Sequence, residues 1–356
     1  MTLHIAIIGA GMAGITAART LTQAGHQVHV FEKSHGAGGR MSTRDSAFGS
    51  FDHGTQYFTV RDARFSLALQ TVPGTTDICR PWSANAVRVL DPLGHVFEAA
   101  RPTKEAHFVA SPGMNALVRH WAQPLGKALH FQNQVQRLER NAKGQWTVHS
   151  LNTKSGKDVL EKHSGYDRVL LAMPSVQAEQ LLRNSGSAVT KTRFIDAMVD
   201  VHVAPCWTLM LAFPNASQPN LPHLGPQWNA ARSTHHRVAW LARESSKPKR
   251  GKIERWTVQA SATWSQEHVE DDAPRVQAKL LRAFSELTGI RAEPSHAEVH
   301  LWRYAQTLTP LGAPYQYHAA TGLGTCGDWH LGHRVEDAFV SGLELALTVC
   351  QSAHRL

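Results

Sequence analysis

Cysteine is scarce and scattered in this chain. Cys79, Cys206, Cys326 and Cys350 are the only four in 356 residues. They form no C-x-x-C and have no histidine at ligand spacing, which excludes a disulfide framework and leaves free thiols in a reducing compartment. Long apolar runs are also missing. No stretch approaches the ~20 residues that a membrane span needs, and the apolar N-terminal run is too short, and lacks the basic leader, for an export signal. A cytoplasmic protein without a membrane partner is the expectation. The 22 histidines are dispersed without an H-E-x-x-H pattern, so no metal site is expected, and the pairs His235–His236 and His330–His333 read as surface or pocket residues. Acids are the minority charge, 28 against 37 basic residues, for a net charge of +9. Nucleic-acid binding is one class that such a balance suggests. The basic cluster Lys247, Lys249, Arg250 and Lys252, however, sits in SSKPKRGK without interleaved aromatics on which bases could stack. It reads as a solvated loop, and no nucleic-acid partner is expected.

What is present points first to residues 3–40. Gly9, Gly11 and Gly14 spell G-x-G-x-x-G directly after the apolar run Ile5–Ile8, and the turn opens a helix rich in alanine that includes Met12 and Ala13. Glu32 follows Gly14 by 18 residues, at the end of a second strand-like run. Gly9 suits a tight turn, Gly11 lets the backbone approach a pyrophosphate, and Gly14 lets helix and sheet pack closely. The helix N-terminus offers free N–H groups and a positive dipole end to phosphates, and Glu32 can accept hydrogen bonds from a ribose. A second glycine turn follows Lys33, with Gly36, Gly38, Gly39, Arg40 and Met41. A guanidinium there can bind a pyrophosphate bidentately, and glycines beside it admit a flat ring. This pair of loops resembles the FAD-binding amine oxidases and their relatives, which favours FAD over NAD. By contrast Gly322, Gly324 and Gly327 repeat the glycine spacing without an acid at the required distance, and no second dinucleotide fold is expected there.

Hydrophobic content of 42% with 18% charged residues suits a globular chain, and the length suggests two domains. Helical periodicity appears in Met12–Ala24, Asn115–Ala122, Ser175–Arg183, Asp272–Leu287 and Glu336–Cys350. Strand-like runs are Ala86–Leu90, Gln134–Leu138, Trp146–Ser150, Arg168–Ala172, Trp207–Phe213, Arg237–Ala242, Trp256–Ala262 and Glu298–Tyr304. The expected fold is α/β: a discontinuous Rossmann-type domain over 1–60, 101–175 and 296–356, with an interleaved α+β substrate domain over 61–100 and 176–295 that carries a mixed or antiparallel sheet. The active site is expected at the seam.

Further segments add specificity. They are Phe51–Phe58 (FDHGTQYF), Ser111–Asn115, Trp240–Arg243 before the basic loop, Trp302–Ala305, Gly327–Trp329 and Arg334–Phe339. Together they resemble the renalase-like flavoproteins of the amine-oxidase superfamily, from the first strand to the last helix. Thr55, where a small apolar residue is expected, and Leu301, where arginine is usual, depart from that pattern. The resemblance implies non-covalent FAD, since nothing around Cys326 resembles an attachment motif. It also implies roles by position. Asp328 meets the ribityl chain or pyrophosphate, and the helix start at Arg334, Val335, Glu336 and Ala338 faces the flavin pyrimidine. Val135 bonds adenine through its backbone, while His53, Gly54, Gln56, Tyr57 and Phe58 lie near the ring. Tyr57, Phe58, Trp240, Trp302 and Arg243 form the candidate catalytic set. Tyr57, Phe58 and Trp302 also suit core packing, and Asp328 a helix cap.

The reaction implied is oxidation of 2- and 6-dihydro isomers of NAD(P), with hydride passing to flavin N5 and O2 reoxidising the flavin to give H2O2. The substrate is then a dinucleotide, and the protein's task is to hold two rings face to face and exclude water, with no general base required. Arg243, Lys247 and Arg250 are candidate phosphate contacts. Oxidation of a small amine is the alternative. The lysines stand mostly in polar turns, which counts against a lysine near the ring. A non-catalytic FAD-binding redox sensor is the second alternative.

Overall fold

The computed structural model describes residues 1–82, 87–98, 105–217 and 225–354. Its first sheet has six strands in the order Gln316–His318, Leu323–Thr325, Arg168–Leu171, His4–Ile8, Gln27–Glu32 and Leu129–Phe131. All neighbours run parallel except the first pair. The central strand His4–Ile8 reads as a continuous apolar run because helices cover one face and a further β layer the other. On one face the helix Met12–Gln23 lies against the long C-terminal helix Val335–His354. Their backbones approach so closely that a Cβ on Gly342 would collide with Ala13 O. On the other face a three-stranded antiparallel sheet (Asn133–Arg140, Trp146–Asn152, Val159–Tyr166) closes a second core around Phe31, Trp146, Leu171 and Trp329.

The second large sheet has seven strands in the order His296–Thr309, His202–Phe213, Glu254–Ala260, Val238–Arg243, Ala230–Ser233, Arg88–Leu90 and Val96–Glu98. It is antiparallel apart from the parallel pair of Ala230–Ser233 with Arg88–Leu90. The helix Ala273–Thr288 covers it with Val276, Leu280, Ala283, Phe284 and Leu287. This helix starts on Asp272, whose side chain accepts from Arg275 N at 2.9 Å, and stops at Gly289 with φ +73°. The α/β architecture with an interleaved mixed sheet is as the sequence indicates.

Two details differ from the sequence reading. The strand His296–Thr309 pairs with His202–Phe213 in the second sheet, so the chain returns to the first sheet after it, near Gln316, rather than at 296. Residues 63–71 form a helix capped by Asp62 that packs against the C-terminal helix, and the helix Ser175–Arg183 packs against Asn133–Arg140. Both thus lie against elements of the first sheet's side. Of the expected strand Ala86–Leu90, Ala86 lies outside the described residues.

Candidate active site

The two glycine turns are packed against each other. Gly9, at φ +112°, follows the first strand, and a Cβ there would strike Ala172 O. A Cβ on Gly14 would strike Gly9 O, so the close packing of turn, helix and neighbouring strand depends on both positions. The second turn meets the first where a Cβ on Gly39 would lie 3.2 Å from Gly11 Cα, and Gly38 N donates to Ala10 O at 3.0 Å. Glu32 ties both turns together: its two oxygens accept from Ala10 N at 2.8 Å and Ser34 N at 2.9 Å. Each oxygen keeps acceptor capacity for a ligand hydroxyl.

A cavity of about 910 Å³ opens from these turns. Gly9, Gly11, Met12 and Ala13 line it at the first turn, and Gly39, Arg40 and Met41 at the second, with Glu32 and Lys33 beside them. Val135 and the neighbouring amides of Asn133, Gln134 and Gln136 line one end. His53, Thr55, His300 and Trp302 line another part, and Asp328, Arg334, Val335 and Ala338 complete the wall. The helix Val335–His354 therefore presents its N-terminal turn to the cavity, where its dipole favours negative charge. Asp337 caps that turn, accepting from Arg334 N at 2.9 Å. Arg40 reaches from the second glycine turn to ion-pair with Asp328 and donates to Ala305 O at 3.2 Å. It thereby links three chain segments around one cavity.

Residues 52–57 are held from the second sheet and from the second glycine turn. Trp302 Nε1 donates to His53 O at 2.9 Å, Gln259 Nε2 to Gly54 O at 2.7 Å, and Thr55 N to Arg40 O at 2.9 Å. Gln56 donates to the carbonyls of Asp52 and Gly54. His53 lies tilted 5.0 Å from the Trp302 ring and edge-on at 4.9 Å to His300. Burial, then His300 and the Arg44 cation, push the His53 imidazole down to about 3. Burial and Arg44 push His300 down to about 4. Both imidazoles are neutral near pH 7. Sequence reasoning missed His300, although strand alternation from Trp302 places it on the same face.

Several expected site residues lie elsewhere. Gly54, Gln56, Tyr57, Phe58, Trp240, Arg243, Gly14 and Glu336 do not line the cavity. Tyr57 belongs to an aromatic cluster with His107 at 4.1 Å, Trp240 at 5.6 Å and Trp82 at 6.5 Å. Phe58 is a core residue between Phe65 and Phe108. Glu336 accepts from Arg61 N at 2.6 Å and Asp62 N at 2.5 Å, joining two helix starts. Arg243 pairs with Glu254 at 2.9 Å and lies over Trp256.

The basic loop is the largest correction. Lys247 and Arg250 are not solvated and cannot contact a phosphate, because both side chains are 0% exposed and bound to Asp52. The lysine expected in a polar turn is instead buried behind the 52–57 segment, where Lys247 Nζ also reaches Gln56 Oε1 at 3.3 Å. No helix among the described residues is long and apolar enough to cross a membrane, and no cluster of three metal-ligating side chains is found among them. The four cysteines are free, and burial pushes the Cys326 thiol up to about 12.

The profile of NAD(P)-binding Rossmann-like domains matches residues 7–67, and that of flavin containing amine oxidoreductases matches residues 95–350. Over 40 residues the chain is 58% identical to an L-amino acid oxidase of Lachesis muta, a match spanning 11% of this chain and 8% of that protein. Over 60 residues it is 43% identical to a 4,4'-diapophytoene desaturase of Staphylococcus haemolyticus, spanning 17% and 12%. Among solved structures, cyclohexylamine oxidase from Brevibacterium oxydans superposes with a TM-score of 0.69 at 13% identity over 100% of both chains. Putrescine oxidase bound to putrescine gives 0.64 at 12% identity, over 98% of this chain and 99% of that one.

Proposed function

Because the chain belongs to the flavin containing amine oxidoreductases and is an FAD-dependent oxidoreductase, we propose that it oxidises 2- and 6-dihydro isomers of NAD(P), as its renalase-like motifs imply. The cavity suits FAD on its own geometry. Two glycine turns leave room that a Cβ would fill, Glu32 offers carboxylate lone pairs, and a helix N-terminus closes the far wall. The adenosine half would lie along Glu32 and Val135, the pyrophosphate at the glycine turns and Arg40, and the flavin toward His53 and Trp302. When bound, FAD supplies hydride acceptance at flavin N5 and return of the electrons to O2 as H2O2.

The observation that carries the substrate reading is the charge of the cavity wall. Among the described lining residues the only two carboxylates are Glu32, held by two backbone N–H groups, and Asp328, paired with Arg40. Asp328 already has its cation, and Glu32 stands at the glycine turns where the adenosine half would lie, so neither serves an ammonium beside the flavin. Lys33 and Arg334 also line the cavity, as does Arg303, which pairs with Glu270, and the two imidazoles are neutral. Such a wall suits an uncharged dihydropyridine ring carried on phosphates better than a cationic amine. The residues' work is then to orient and to dry: the Trp302 and His53 rings wall the cavity, and the pinned 52–57 segment holds them in place. Product formation tests this. NAD+ and peroxide accumulating together from borohydride-reduced NAD+ support it, and aldehyde released from an amine in its place refutes it.

Amine oxidation stands as the second reading, favoured by Lys247 lying within reach of Gln56. The aromatic cluster is a poor cage for an external amine, because the Lys247 ammonium already lies 5.3 Å from the centre of the Trp82 ring.

A further inference from the structure

Behind the cavity wall lies a cluster of charges shut off from water. The side chains of Asp52, Glu244, Lys247 and Arg250 are each 0% exposed. Lys247 Nζ donates to Asp52 Oδ2 at 3.1 Å, Gln56 Oε1 at 3.3 Å and Glu244 Oε1 at 2.9 Å. Three acceptors use all three hydrogens of an ammonium, so this lysine is charged. Asp52 accepts from Thr43 Oγ1, Met114 N, Lys247 and Arg250. Burial alone would raise its pKa, but the two cations outweigh burial and hold it below the usual carboxylate range.

A third cation has no acid partner among the described residues. Arg255, 1% exposed, donates only to the carbonyls of Phe48, Ser50, Arg250 and Ile253. With Lys247, Arg250 and Arg255 against Asp52 and Glu244, the cluster carries three positive and two negative charges even if both acids are ionised. Burial pushes Glu244 toward its neutral form, which enlarges the excess. Glu244 Oε1 also accepts from Thr257 at 2.8 Å, while its Oε2 has no partner. The neighbouring pair Arg243–Glu254 neutralises itself.

Keeping ions out of water is costly, and apolar residues would fill the space more cheaply. The position of the cluster suggests its use. Asp52 and Gln56 flank His53 and Thr55, which line the cavity, so the Lys247 ammonium, bonded to both, stands one side chain behind the wall in a medium of low dielectric. Lys247 also fixes the Gln56 amide, whose Nε2 then faces the carbonyls of Asp52 and Gly54.

We propose that this buried cationic cluster raises the electron affinity of the bound flavin by stabilising the negative charge of its reduced form, with Lys247 as the positioning residue through which it acts on the 52–57 wall. The inference rests on the cavity being the FAD site. The midpoint potential of the full-length holoprotein tests it, read by dye-coupled reduction for Lys247→Met, Asp52→Asn and the double variant. Lys247→Met is expected to shift the reduction equilibrium toward oxidised flavin tenfold or more, about 30 mV for a two-electron couple. Asp52→Asn, which removes a negative charge, is expected to shift it the other way, and the double variant to return within threefold of wild type. Lys247→Arg, which keeps the charge, holds the potential, and Lys247→Gln replaces Lys247→Met if the latter does not fold. Damage to packing alone moves both single variants in one direction, and that result overturns the inference. Wild-type protein that takes up no FAD overturns the reading of the cavity itself.

Discussion

Arg40 joins three segments that are distant in sequence: the second glycine turn, Ala305 and Asp328. Arg40→Met removes a two-point contact and leaves Asp328, whose side chain is 6% exposed, without its cation. FAD binding to the apoprotein is expected to weaken at least tenfold, about 1.4 kcal/mol, as measured by flavin fluorescence titration. Retention of wild-type affinity would remove Arg40 from the site. The same scale carries a pH prediction. Burial lowers His53 and His330 to about 3 and His300 to about 4, against 6.5 for the exposed residue. The unfolded chain thus takes up protons between about pH 6.5 and 4 that the folded protein refuses. More protons bound in the unfolded state means stability falls as pH falls through that window. The thermal midpoint is expected to drop steadily from pH 7 to 4.5, and His330→Gln to flatten that slope. His330 is 0% exposed, bonded to Thr325 and Ala313, and outside the cavity lining.

At the scale of elements, the start of the C-terminal helix serves two purposes. Its N–H groups face the cavity, while Glu336 accepts from the backbone of Arg61 and Asp62. Glu336→Gln exchanges a charged acceptor for a neutral one. It is expected to cost about 1–2 kcal/mol of stability in urea unfolding and to change FAD affinity less than threefold. A tenfold loss of FAD would mean that Glu336 faces the cofactor after all. The elements also show what was legible in the sequence. The strand–turn–helix of residues 4–23 was, because each glycine answers to a neighbour within the same unit or the next strand. So was Ala273–Thr288, with its apolar stripe, its aspartate cap and its closing glycine. Val159–Tyr166 was not, since one face is solvated and its interior is Glu, Lys, His and Ser. Nor was the burial of Lys247 and Arg250, because the partner that draws them inward, Asp52, lies 195 and 198 residues away. Local composition there spells a polar loop, and only tertiary structure reverses it.

For the whole molecule, the cavity is lined from two interleaved sheets. The first sheet supplies the glycine turns and Glu32, and the second brings His300 and Trp302 on the strand His296–Thr309 against residues 52–57. The net charge of +9, first read as a surface property, in part lies inside, at Lys247, Arg250 and Arg255. The cofactor followed from contiguous motifs, whereas the substrate depends on a wall assembled from both sheets. The most direct test of that wall is anaerobic mixing of the holoprotein with borohydride-reduced NAD+ while flavin absorbance is followed. Rapid bleaching, absent with pure 4-dihydro NADH and with a panel of amines, is the predicted result. Bleaching by an amine alone would contradict the account and assign the protein to amine oxidation.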